Sequence, residues 1–164
     1  MNDLKIAMEV SQAINEIYAS DAIVGAPTYI TLKFFNKLWN IPLTREWSPE
    51  PDIEREAKLI KRFVKDSARI SNSIERVIIS KVNDGLKLEH IPKTISSYND
   101  IPGLTITSIE VEYNRYEDKS YVVLRGEYDF DMEHGWSLSF DNNKLVTKNW
   151  LYYMPQSSSP NYLD

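Results

Sequence analysis

The sequence contains no cysteine, so a disulfide framework, a thiolate zinc site and a cysteine nucleophile are all excluded. Its five glycines form neither a Gly-rich phosphate loop nor the nucleophile turn of a serine hydrolase. Only two histidines are present, His90 and His134, and a Ser-His-Asp arrangement would have to use one of them. His90 stands in a connector beside Pro92 and reads as a surface loop residue. No stretch approaches the roughly 20 apolar residues that a membrane helix needs. The start, Met1-Asn2-Asp3-Leu4-Lys5, lacks the basic region and apolar run of a signal peptide. These absences predict a soluble protein of the reducing cytoplasm. Positive charge is also short: 19 Lys and Arg face 24 Asp and Glu, for a net charge of −5. Non-specific affinity for nucleic acid comes from neutralising phosphates, so this balance argues against a general nucleic-acid binder and for a basic partner.

What is present suits one domain of 164 residues, 42% hydrophobic, with a core rich in rings from four Trp, ten Tyr and five Phe. The first half reads helical. Ala7, Val10, Ile14 and Ile17 recur at helical spacing between Asp3 and Ala19. Leu32, Phe35 and Trp39 share a stripe within Tyr29 to Trp39, which predicts a second helix, with a buried strand as the alternative for so short an apolar run. Asn40 to Pro51 reads as a surface loop. The longest helical signal runs from Pro51 or Asp52 to about Val82. Glu54 and Glu56 suit its positive N-terminal end, Ser71-Asn72-Ser73 is expected to bend or break it, and Asn83-Asp84-Gly85 to end it.

After a connector with Pro92, Pro102 and Gly103 the apolar period changes to two. Leu104 and Ile106 alternate, then Ile109, Val111 and Tyr113 alternate with the opposite parity, which predicts a β-bulge near Thr107-Ser108. Val122, Leu124, Gly126, Tyr128, Phe130 and Met132 line one face of a long second strand. Trp136, Leu138 and Phe140 form a third, Asp141-Asn142-Asn143 a tight turn, and Leu145 to Tyr153 a fourth. The expected fold is therefore α+β: N-terminal helices packed on a C-terminal, meandering antiparallel sheet of about four strands. Residues 1–155 make a single domain, with a helical half at 1–85 and a sheet half at 100–155, and 156–164 form a loose tail.

The other face of the second strand carries Arg125, Glu127, Asp129, Asp131 and Glu133 at alternate positions, followed by His134 and Gly135. Carboxylates at that spacing repel one another and add nothing to the fold. Three readings compete. The row is a solvated sheet face, or it docks a basic partner with an aromatic anchor such as Trp136 or Tyr128, or Asp129, Asp131, Glu133 and His134 form a metal or acid–base site. The metal reading lacks the glycine and the distal glutamate of a calcium loop. Trp136 also alternates with Leu138 and Phe140, which favours a core position. The basic flank of the long helix, Lys58, Lys61, Arg62, Lys65 and Arg69, is interleaved with Glu54 and Glu56 and reads as a solvated face.

The segment Tyr128-Asp129-Phe130-Asp131-Met132-Glu133-His134-Gly135-Trp136, with the Asp/Asn turn before Lys144-Leu145-Val146, resembles a group of small bacterial proteins akin to immunity proteins of polymorphic toxin systems. The resemblance covers roughly residues 104–153. It implies a cytoplasmic bacterial protein that neutralises a basic toxin domain by binding it, without catalysis and without a cofactor. Glu127, Asp129, Asp131, Glu133, His134 and Trp136 are then the candidate partner-binding residues. The alternatives are a metal-assisted enzyme at Asp129, Asp131, Glu133 and His134, or a self-associating structural protein.

Overall fold

A computed structural model describes residues 28–45, 52–114, 116–129 and 135–146. Among them six strands form one curled, mixed sheet in the order β1-β2-β3-β4-β5-β6. They are β1 (Thr28–Phe34), β2 (Lys37–Arg45), β3 (Thr105–Asn114), β4 (Lys119–Glu127), β5 (Trp136–Asp141) and β6 (Lys144–Leu145). Two helices, α1 (Ile53–Lys65) and α2 (Ser67–Leu88), connect β2 to β3. This corrects the expectation of N-terminal helices on a four-stranded meander. Two of the strands come from the half read as helical, and β2 pairs with β3 in parallel, through Leu43 with Ile109 and Thr44 with Glu110. The expected helix at Asp3 to Ala19 and the tail at 156–164 lie outside the described residues.

The apolar run at Tyr29 to Trp39 is a hairpin because its inward positions follow period two on each side of a reversal. Ile30, Leu32 and Phe34 point inward from β1, and Ile41 and Leu43 from β2. The reversal is the two-residue loop Phe35-Asn36, both at positive φ, 52° and 55°. That backbone matches the twist of a hairpin but costs a non-glycine residue about 1–2 kcal/mol. Tertiary contacts offset the cost at Phe35. Its N–H donates to Ser71 Oγ of α2 at 3.1 Å, and its ring, 2% exposed, lies 5.3 Å from the Tyr98 ring. Trp39 Nε1 donates to the Phe34 carbonyl at 2.8 Å and closes the tip. The segment read as a loop from Asn40 onward is strand as far as Arg45.

The long helical signal divides at Asp66, not at Ser71-Asn72-Ser73. Ser71 stays helical while its hydroxyl serves the hairpin tip. Asp52 caps α1 by accepting from the Arg55 N–H at 3.0 Å, as the acidic start suggested. The helix also continues past Gly85. It stops at Leu88, where His90 takes a left-handed φ of 56° and the Ile91 N–H returns to the Leu86 carbonyl, the bonding of a Schellman stop. Ile70, Ile74, Ile78, Val82 and Leu86 form the buried stripe of α2. They meet Ile60 and Phe63 of α1 and the inward rows of the sheet in one core.

The C-terminal strands β3 and β5 fall where the sequence placed them, while β4 ends at Glu127, short of the expected run to Met132. The β3–β4 register shifts between Ile106 and Ser108, the bulge predicted from the change of parity. Asn142 and Asn143 have φ of 49° and 67° in a tight turn between β5 and β6. The β6 ladder covers only Lys144–Leu145, and the rest of the fourth predicted strand lies outside the described residues beyond Val146.

Candidate functional site

The acidic row does not continue as a strand face. β4 ends at Glu127, and Tyr128 and Asp129 leave the ladder. Arg125, which heads the row in sequence, belongs to a different constellation. Its Nε donates to Glu110 and its Nη2 to Glu112, both on the neighbouring β3, while Thr44 Oγ1 donates to Glu110 at 3.2 Å. Burial works against the Arg125 charge, but the two carboxylates outweigh it and raise the guanidinium above its ordinary value. Alternation on β3 places Glu110 and Glu112 on one face. The pairing with Arg125 needed the β3–β4 register, which the sequence alone does not give.

Glu127 and Asp129 sit instead at one corner of the sheet. Glu127 is exposed and registers with Thr105. Asp129 is exposed in a turn, and its N–H donates to the Pro102 carbonyl at 2.9 Å. Its carboxylate folds over Gly103, which has a φ of 70°; a Cβ there would stand 1.9 Å from Asp129 Oδ1. Gly103 is therefore favoured by its left-handed backbone, while the Asp129 carboxylate lying on it is a flexible end that a Cβ would displace. The same connector carries Asp100, exposed in the short helical turn Tyr98–Asp100. Two chain segments thus bring Asp100, Glu127 and Asp129 to one corner, and none of the three carboxylates has an ion pair among the described residues. Asp100 carried no signal in the sequence, because only the contact of its loop with the end of β4 recruits it.

Asp131, Glu133 and His134 lie outside the described residues. The chain leaves this corner at Asp129 and returns at Gly135, where a Cβ would stand 3.5 Å from Glu127 Cγ. Trp136 is not a surface anchor. It is 1% exposed in the core and registers with Gly126, whose missing side chain makes room for the indole. Its Nε1 and the Ser137 hydroxyl are buried with no hydrogen-bond partner among the described residues. Tyr128, 5% exposed, also belongs to the core. Among the described residues no group of three or more His, Asp or Glu side chains is placed to hold a metal ion. No described helix is long and apolar enough to cross a membrane.

The family model of a domain of unknown function, DUF6985, matches residues 14–150. The chain belongs to the DUF6985 family. That match spans the hairpin, both helices and the acidic corner as one unit, so the DUF6985 domain joins what the sequence divided into helical and sheet halves. No curated protein and no solved structure matches the chain.

Proposed function

We propose that this DUF6985 protein is an immunity-type inhibitor that binds a basic protein domain, a toxin, and neutralises it without catalysis. The observation that carries the reading is the corner of exposed carboxylates at Asp100, Glu127 and Asp129, which lack ion-pair partners among the described residues. Some other acidic side chains of the described surface pair with cations, as Glu54 does with Lys58, Asp66 with Arg69 and Asp141 with Lys119, while Asp84 and Glu89, like the corner, have no ion pair among the described residues. Exposed carboxylates without an ion pair among the described residues are open to a cationic surface on docking. In the sequence, Asp131, Glu133 and His134 lie between Asp129 and Gly135 and add two acidic residues to this stretch of chain. The net charge of −5 steers a basic partner in the same sense. The apolar part of the contact comes from residues other than Trp136, which the core occupies.

The test is affinity capture from host lysate, with the bound proteins identified by mass spectrometry. The wild type is compared with a variant carrying Asp100→Lys, Glu127→Lys and Asp129→Asn. The conservative change at Asp129 keeps its contact with Gly103 and isolates charge from folding. The expected result is one stoichiometric basic protein on the wild type and its loss on the variant. Capture of nothing basic, or equal capture by both, contradicts the proposal.

A further inference from the structure

The terminal strand β1 has a second edge with which no described strand pairs. Proteins keep such edges from pairing with short strands, prolines, bulges or inward charges. β1 has seven residues, a continuous register against β2, no proline and a single charge, Lys33. At the opposite end of the sheet β6 has only two residues in its ladder.

The hairpin fixes which amides face that edge. A two-residue loop makes its flanking residues, Phe34 and Lys37, a hydrogen-bonded pair, and alternation makes Leu32 with Trp39 and Ile30 with Ile41 further such pairs. Tyr29, Thr31 and Lys33 therefore turn their N–H and C=O groups away from β2. Their side chains share the outer face of the sheet, where Tyr29 is 52% exposed and Leu38, registered with Lys33, is 69% exposed.

We infer that the occupant of this edge is a second copy of the chain, paired β1 to β1 antiparallel about a two-fold axis at Thr31. Thr31 is the midpoint of Thr28–Phe34, so this register alone pairs the whole strand. It sets Thr31 opposite Thr31, Tyr29 opposite Lys33, Ile30 opposite Leu32 and Thr28 opposite Phe34. The residues whose amides face the edge are those the register turns into hydrogen-bonded pairs. No like charges meet. Each Lys33 stem lies between Leu38 of its own copy and the Tyr29 ring of the other, where the ammonium gains a cation–π contact. The interface is isologous, as a closed dimer requires. One strand pair buries less area than an obligate dimer, so association depends on concentration. This inference is independent of the acidic corner and of the inhibitor reading.

Size-exclusion chromatography with multi-angle light scattering over a concentration series tests it. The wild type is expected to move from the mass of one chain towards that of two. Thr31→Pro removes an edge-facing donor and leaves the β1–β2 bonds intact, and Thr31→Lys sets two ammonium groups across the axis. Both variants are expected to stay monomeric with the wild-type circular dichroism spectrum. If Thr31→Pro misfolds, Thr31→Lys alone decides. A wild type that remains one chain at the highest attainable concentration, or a dimer that Thr31→Lys leaves intact, overturns the inference.

Discussion

At the scale of single residues, the tightest packing lies where Gly126 meets Trp136. A Cβ on Gly126 would stand 2.2 Å from two indole carbons and 2.1 Å from the Thr105 carbonyl oxygen, and neither neighbour is the flexible end of a side chain. Gly126→Ala is expected to destabilise the protein by about 3 kcal/mol, the upper part of the usual range for overpacking, as read from chemical denaturation. A loss below about 1 kcal/mol would mean that the strands separate there at little cost. Asn83 is a second single-residue constraint. Its amide donates to the Ile95 carbonyl at 2.9 Å and accepts from the Ile95 N–H at 2.7 Å, which ties the connector to α2. Ile95 is 2% exposed, so its backbone groups have little access to water once the clamp is gone. Asn83→Ala is expected to cost about 1–3 kcal/mol in the same measurement.

Between elements, Asp66 links the helices to the β5–β6 turn. Asn143 Nδ2 donates to its carboxylate at 2.8 Å and Arg69 Nη2 at 3.0 Å. The hydrogen bond from Asn143, opposed by desolvation and aided by Arg69, holds the Asp66 pKa below its ordinary value of 3.8. A lowered carboxylate pKa stabilises the fold above the ordinary value, and the gain disappears as pH falls through the lower folded value. The melting temperature of Asp66→Asn should therefore lie below that of the wild type at neutral pH, with the gap closing below about pH 4. A gap unchanged at pH 3 would contradict this role. The C-terminal strands β3 and β5, the bulge at Ile106/Ser108 and the Asn142-Asn143 turn were legible in the sequence because parity and turn chemistry are local. The β1–β2 hairpin was not. Its loop uses Phe35 where a hairpin ordinarily signals with glycine or asparagine, and the stabilising contacts come from Ser71 and Tyr98, far along the chain. The helix boundaries failed for a related reason: Ser71 serves a tertiary contact, and His90 makes the stop that Gly85 advertised.

For the whole molecule, the parallel contact of β2 with β3 turns two apparent halves into one sheet with α1 and α2 as the crossover. The same connection explains why the candidate site was only partly legible. Glu127 and Asp129 stood out by spacing. Asp100 joins them through the turn that docks Pro102 against Asp129, and Arg125 leaves them for Glu110 and Glu112. Docking through exposed carboxylates makes association faster at low ionic strength and screens it as salt rises. The decisive measurement is the association rate of the captured basic partner with immobilised protein across a salt series. The wild-type rate is expected to fall steeply with salt. The variant carrying Asp100→Lys, Glu127→Lys and Asp129→Asn should start about tenfold slower and respond weakly. Equal rates and equal salt slopes for the two proteins would remove the acidic corner from the interface and contradict the account.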